Sequence, residues 1–263
     1  VIVGVDLGGT KLRIVADGKI LSETPTGAAV GPREIVARVH AALPAGTRAV
    51  GFAVPGLVAD GKVVRADDLP AIAGWRPFPD LGLPGAVIND ARAALLADAA
   101  DLPAGATAAV VMAGTGIGAA FLVHGRVLEG AGGFAGEFGS VPADASGATL
   151  DARAAGAAIL RAAGCDAPAF AARLAAGDAD ARRVVADAGA ALGRGLAGLV
   201  NLFNPARLTL AGGALRWPGY AAAAFDAARR TALAEPMAQC ALREADEPDT
   251  LVARGAALAA ARA

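Results

Sequence analysis

A carboxylate, two glycines, a hydroxyl and an amine stand in one short run near the start of the chain, Asp6-Leu7-Gly8-Gly9-Thr10-Lys11. Val3-Gly4-Val5 before it reads as an apolar strand, so the run is a strand end passing into a turn. These residue types suit a nucleotide's phosphates and their metal. Glycine lets backbone N–H groups approach phosphate oxygens with no Cβ in the way, and Thr10 adds a hydroxyl donor. Asp6 can hold Mg2+, directly or through water. The same residues also describe an ordinary Gly-Gly turn, and taken alone the run leaves both readings open.

The pattern recurs. Ile14-Val15-Ala16-Asp17-Gly18-Lys19-Ile20-Leu21 is echoed by Phe121-Leu122-Val123-His124-Gly125-Arg126-Val127-Leu128. Each copy is an apolar strand, a two-residue X-Gly turn, a basic residue and a second strand. Upstream, Leu7-Gly8-Gly9-Thr10 lines up with Gly114-Thr115-Gly116-Ile117. A repeated phosphate-type hairpin predicts two similar half-molecules facing each other across a cleft. A chance likeness between two glycine-rich hairpins is the competing explanation.

Other polar groups gather at strand ends. Asn89-Asp90 stands where a strand at 86–89 gives way to a helix. Asn or Asp there is an ordinary helix N-cap. It is also where ligands bind in α/β folds, beyond the carboxyl ends of strands. An aspartate so placed can take the proton of a hydroxyl that attacks a γ-phosphoryl group. Pro55-Gly56 ends another strand, Asp67-Asp68 lie in the loop beyond it, and Gly136-Glu137-Phe138-Gly139-Ser140 sets a carboxylate and a hydroxyl among glycines. Such groups suit a polyhydroxylated ligand, although each carboxylate taken singly also reads as a solvated loop charge.

The elements that must position these groups alternate between strand and helix. Strands are expected at 1–6, 12–16, 19–24, 48–53, 62–64 and 86–89, and helices at 32–42 and 90–100, with an irregular stretch over 65–84. Pro103-Ala104-Gly105 marks a domain boundary. Beyond the second hairpin, helices are expected at 150–163, 168–176, 178–203 and 218–233, strands at 207–211 and 237–243, and a last helix from 250. Val184, Ala188, Leu192, Leu196, Leu199 and Phe203 recur at helical spacing and read as core. This alternation predicts an α/β architecture. An N-terminal α/β domain would span 1–105, with the helix at 250–263 packing back on it, and a larger α/β domain would span 106–249.

Composition narrows the function classes. The 263 residues suffice for one large domain or two ordinary ones. Hydrophobic residues make up 55% but aromatics only 4%, so cores must be built from Ala, Val and Leu. A net charge of −1 supplies no electrostatic reason for nucleic acid or an anionic membrane as partner. Two cysteines, Cys165 and Cys240, make no disulfide framework, and a reducing cytoplasm is the expected location. The most apolar stretch, 108–123, is interrupted by Gly114, Gly116 and Gly118 and reads as strand–turn–strand, not as a membrane span. No secretory signal is evident, and the chain opens directly in a strand without methionine.

The motifs taken together resemble the ROK family of bacterial sugar kinases, which has the actin-like (ribonuclease-H-like) ATPase fold. The resemblance covers nearly the whole length. It rests on Asp6 to Lys11, Gly51-Phe52-Ala53-Val54-Pro55-Gly56-Leu57-Val58, Leu69-Pro70 with Gly74-Trp75, Asn89-Asp90-Ala91, Gly114-Thr115-Gly116-Ile117-Gly118, Gly130-Ala131 with Gly136-Glu137-Phe138-Gly139, and Leu210-Ala211-Gly212-Gly213. It implies Asp90 as general base, Asn89 beside it on the sugar, and Gly56, Asp68 and Glu137 lining that sugar. It implies Asp6, Gly8, Gly9, Thr10 and Lys11 as one phosphate region, Gly114, Thr115 and Gly116 as a second, and Gly212 and Gly213 against adenosine. ATP, Mg2+ and a homodimer come with the same resemblance.

Departures from the family pattern fall on the sugar side. Ser140 stands where histidine is usual, Leu150-Asp151 where Leu-Glu is usual, and Asp68, with Asp67 as the alternative, where asparagine is common. The segment 141–149 is short and lacks the cysteines of the family's zinc loop, so no zinc is expected. The expected activity is ATP-dependent phosphorylation of a primary hydroxyl, the 6-hydroxyl of a hexose, with glucose as default and Ser140 and Asp151 as altered substrate contacts. An amino sugar or cyclitol is the alternative. Two rival readings are a sugar-sensing ROK regulator, which would carry an N-terminal helix-turn-helix, and a sugar-binding pseudokinase, which would not need Asp6 and Asp90.

Overall fold

The computed structural model describes residues Val1–Ala263. Along the chain run β1 (Ile2–Leu7), β2 (Lys11–Ala16), β3 (Lys19–Pro25), α1 (Pro32–Ala42), β4 (Ala49–Val54), β5 (Leu57–Ala59), β6 (Lys62–Arg65), α2 (Pro77–Leu81), β7 (Gly85–Asn89) and α3 (Asp90–Asp98). Then come β8 (Ala108–Ala113), β9 (Ile117–Val123), β10 (Arg126–Val127), α4 (Leu150–Ala154), α5 (Gly156–Ala163), α6 (Ala167–Ala175), α7 (Ala179–Phe203), β11 (Arg207–Ala211), α8 (Tyr220–Thr231), α9 (Ala234–Gln239), β12 (Ala241–Glu244) and α10 (Leu251–Ala260). The chain divides into two compact units: Val1–Leu102 with Glu129–Ala135 and Asp246–Ala263, and Pro103–Leu128 with Gly136–Ala245.

In the first unit the sheet order is β3-β2-β1-β4-β7, with β1–β2–β3 antiparallel and β4 and β7 added in parallel. Strand alternation sorts β1 into two faces. Val3, Val5 and Leu7 point to a core shared with Ile35 and Val39 of α1 and with Phe52, which meets Trp75 edge-to-face at 5.5 Å. Gly4 and Asp6 point to the other face, where α10 lies. An added Cβ at Gly4 or Gly51 would strike the backbone carbonyls of Ala253 or Ala256, so this helix rides directly on the strands. Arg13 is buried on this face; its guanidinium donates to Glu23 at 2.6 Å and to Asp249, at the entrance to α10.

The second unit repeats the plan. Its sheet order is β10-β9-β8-β11-β12, three antiparallel strands followed by two parallel ones. The turns at Asp17-Gly18 and His124-Gly125 both place their two residues at positive φ, 47° and 74° in one and 48° and 75° in the other. That is the twist a two-residue hairpin needs. The residue-by-residue match at the preceding turns does not hold, however. Leu7 is still paired, with Leu12, whereas Gly114 already lies beyond the last β8–β9 pair, Ala113 with Ile117. The two turns therefore comprise Gly8–Lys11 and Gly114–Gly116, and differ in length.

Helix α7 fills the second core, with Ala188, Leu192, Leu196 and Leu199 buried. Val184 and Phe203 are only half-buried at its ends, and Val185 takes the inward place instead. The expected helix over 150–163 is broken at Ala155, whose ψ is 157°. The break has a cause: the Gly156 and Ala157 N–H groups leave the helical ladder and donate to the Gly114 and Thr115 carbonyls at 2.8 and 3.2 Å. The expected strand at 237–243 is also corrected. Helix α9 occupies 234–239, Pro236 being tolerated in its first turn, and only Ala241–Glu244 pairs with β11. The stretch 65–84 holds a 3₁₀ turn, Pro70–Ile72, and α2.

Candidate active site

At the end of β1 the Gly8 N–H donates to the Lys11 carbonyl at 2.9 Å, which closes the turn. Thr26, which no motif singles out, braces it: its hydroxyl donates to the Gly8 carbonyl at 2.6 Å and its N–H to the Thr10 carbonyl at 2.9 Å. The Gly9 and Thr10 N–H groups have no backbone partner. A turn held from behind with free amides in front is the arrangement that anions use.

Asn89 and Asp90 divide two roles between them. The N-cap of α3 is Asn89, whose Oδ1 accepts from the Arg92 N–H at 3.1 Å. Its Nδ2 donates to the Gly56 carbonyl and to Asp90 Oδ1, both at 3.0 Å, so it ties the ends of β4 and β7 together. Asp90, relieved of capping, accepts from the Ala91 N–H at 2.8 Å. Burial pushes its carboxyl up to about 6, and the nearby charge of Asp68 adds to the rise, against the hydrogen bonds from Ala91 and Asn89.

Asp67 and Asp68 also part company. Ala66 and Leu69 are buried and anchor the loop. Arg65 grips Asp67 through Nε and Nη2, each at 2.7 Å. Asp68 instead lies against the turn, its Cβ 3.1 Å from where a Cβ on Gly9 would be. Three carboxylates, Asp6, Asp68 and Asp90, thus interact within one unit. Burial pushes Asp6 up to about 7, the charge of Asp90 adds to this, and Arg13 and Lys11 oppose it.

That shift sets a stability expectation. The folded protein holds the Asp6 proton up to about pH 7, whereas the unfolded chain releases it near 3.8. The favourable contribution is present at acid pH and is lost as pH rises through 7. Asp6→Asn should therefore raise the midpoint of thermal unfolding at pH 8 and have a smaller effect at pH 5. A difference that does not change between those pH values would contradict the shift.

In the second unit, Gly114 N–H donates to the Gly116 carbonyl at 2.8 Å, and the Thr115 and Gly116 N–H groups have no backbone partner. The start of α5 holds the Gly114 and Thr115 carbonyls, as described above. Asp151 Oδ1 accepts from the Ile117 N–H at 2.6 Å. Glu137 and Ser140 are exposed at either end of a turn closed by Ser140 N–H to the Glu137 carbonyl at 3.1 Å, with Phe138 buried between them. Gly212, at φ 105°, leads from β11 into a short 3₁₀ helix begun by Gly213, whose carbonyl accepts from Arg216 Nε at 2.8 Å.

The structure therefore brings Asp6, Gly9, Gly56, Asp68, Asn89 and Asp90 together in the first unit, and Gly114–Gly116 and Asp151 in the second. Sequence reasoning missed the braces: Thr26, Arg13, and Arg92, whose Nη2 donates to the Gly133 carbonyl at 2.8 Å and holds the glycine-rich loop against α3. None lies in a motif. No three carboxylate, imidazole or thiol groups converge closely enough to hold a metal ion by themselves. Mg2+ characteristically takes one or two carboxylates and completes its shell with water and phosphate. Asp6, an oxygen donor in a region of excess negative charge, fits that mode.

Among known proteins, the chain is 33% identical over 210 residues to an N-acetylmannosamine kinase of Escherichia fergusonii, covering 69% of this chain and 72% of that one. Other curated N-acetylmannosamine kinases match over about half their length. A ROK hexokinase from Thermus thermophilus is similar in structure at a TM-score of 0.78 and 31% identity, over 99% of this chain and 98% of that one. A ROK family glucokinase from Streptomyces griseus, solved with glucose and AMPPNP, superposes at a TM-score of 0.81 and 23% identity, over 100% and 99% of the chains. No helix is long and apolar enough to cross a membrane. With the ROK family model matched from residue 2 to residue 263 and two sheets of the same strand order, the chain belongs to the ROK family and has its actin-like, ribonuclease-H-like ATPase fold.

Proposed function

We propose that the protein is a sugar kinase that transfers the γ-phosphoryl group of ATP to the 6-hydroxyl of a hexose, with Asp90 as general base. The observation that carries this reading is Asp90 itself, a carboxylate at a strand end, freed from capping by Asn89 and raised to about 6. That value lets it be ionised near neutral pH and still bind a proton readily. As the sugar oxygen bonds to phosphorus and the bond from phosphorus to the departing ADP oxygen breaks, the hydroxyl proton passes to Asp90. The free amides of Gly9, Thr10, Thr115 and Gly116 are assigned to phosphate oxygens, and Gly212-Gly213 to adenosine. Asp6 would hold Mg2+, which offsets charge on the phosphates when bound. Asn89, Gly56, Asp68, Glu137 and Ser140 are assigned to the sugar.

The test is ADP release against hexoses, amino sugars, N-acetyl sugars and cyclitols, with the phosphorylated carbon located by NMR. Sugar binding without ADP release for every compound would overturn the kinase reading in favour of a sensor. Asp68 supports a second reading of the substrate. Arg65 neutralises Asp67 but not Asp68, which stands beside Asp90 and Gly9 and can pair with a substrate ammonium. On this reading Asp68→Asn shifts preference from glucosamine towards glucose by about tenfold in kcat/KM, the scale of a charge-assisted hydrogen bond. An unchanged ratio would remove Asp68 from the account of specificity.

A further inference from the structure

We infer that Asp151 is a positioning residue for the nucleotide, acting through the Gly114–Gly116 turn. The inference rests on the reading of that turn as phosphate-binding. Three fixed points hold the turn from behind. The Gly114 and Thr115 carbonyls accept from the Gly156 and Ala157 N–H groups, and the Ile117 N–H donates to Asp151 Oδ1 at 2.6 Å. The two amides between these points, Thr115 and Gly116, are the ones left without a backbone partner. A carboxylate repels phosphate, so Asp151 can serve an anion only by fixing the backbone that meets it.

Asp151 is itself well supported. The Thr149 hydroxyl caps α4 by accepting from the Ala152 N–H at 3.2 Å, and Leu150 is buried beside it. At the other end of α4 the buried Tyr220 hydroxyl donates to the Ala154 carbonyl at 2.7 Å. The carboxylate is also wedged. A Cβ built on Gly139 would fall 2.5 Å from its Cγ, and one on Gly116 would fall 3.5 Å from Oδ1. Only a residue without a side chain at 139 leaves Asp151 its place against Ile117. The segment carrying Glu137 and Ser140 and the phosphate-type turn therefore pack on a single carboxylate.

The measurement is ADP affinity by calorimetry on the whole protein, with glucose and glucosamine affinity measured alongside and thermal unfolding as a folding control. Asp151→Ala is expected to weaken ADP binding about tenfold or more, the loss of a charge-assisted hydrogen bond. Asp151→Asn, which keeps an acceptor oxygen, should stay within about threefold of the parent. Gly139→Ala should reproduce the alanine loss by displacing the carboxylate, and it serves as the independent variant if Asp151→Ala does not fold. In Asp151→Ala the loss of sugar affinity should be smaller than the loss of ADP affinity. ADP affinity unchanged in Asp151→Ala and Gly139→Ala, or a selective loss of sugar affinity in Asp151→Asn, would overturn the role of Asp151. A parent protein that binds no ADP would overturn the nucleotide reading as well, so the two failures are distinguishable.

Discussion

Asp90→Asn is expected to lower kcat by about 10² or more while sugar binding persists, because general-base assistance is worth roughly 10²–10⁴. The substitution is nearly isosteric. It leaves the α3 cap intact, since Asn89 makes the capping bond, and the amide oxygen can still accept from the Ala91 N–H. What it removes is the capacity to take a proton. The parent should also show kcat/KM rising with pH through about 6, where the half-buried Asp90 carboxyl ionises, and this limb should be absent from the residual activity of the variant. Steady-state kinetics from pH 5 to 8, with calorimetric sugar binding, make the check. Near-normal turnover by the variant would end the assignment of Asp90 as base.

The largest expected effect on stability comes from backbone packing. Gly51→Val should destabilise the protein by about 3 kcal/mol or more, at or above the usual range for overpacking. Gly51 is buried in β4, and any Cβ there meets the Ala256 carbonyl of α10. Side chains can rotate away from an intruding methyl group, but a helix backbone must move as a body. Here the helix is pinned on its other side, because Gly255 lies against the Ala93 carbonyl of α3 and Arg13 holds Asp249 at the helix entrance. Gly118→Ala in β9 is the control: nothing lies within 4 Å of its added Cβ, and the change should stay within about 0.5 kcal/mol. Urea unfolding of both variants decides between them, and a Gly51→Val midpoint equal to that of the control would contradict the close packing of α10.

The two expectations depend on different kinds of information. Asn89-Asp90 was visible in the sequence as either cap or base, because both readings rest on a strand end followed by a helix. The structure shows that the two adjacent residues divide the tasks, with Asn89 capping and clasping Gly56. The pair Asp67-Asp68 was visible too, but sequence could not say which one Arg65 neutralises. Asp151 was singled out for its place in a family pattern, whereas the bond it makes is to a backbone N–H thirty-four positions earlier in the chain.

The sequence by itself determined the alternation of strands and helices, the two hairpins, the glycine turns and the family. Each of these is encoded by residues adjacent in the chain, through side-chain periodicity and turn stereochemistry. Where it misjudged the helix over 150–163, the deciding groups lay in a distant turn; in the segment 234–239, Pro236 sits where the first turn of a helix tolerates it. Only the tertiary structure decided which carboxylates lie close enough to raise one another's pKa, which of them a cation already neutralises, and which backbone amides stay free. The reason is that Coulombic coupling, burial and hydrogen-bond exclusivity depend on distances between segments tens of residues apart, and those distances exist only once the sheet and its helices are packed.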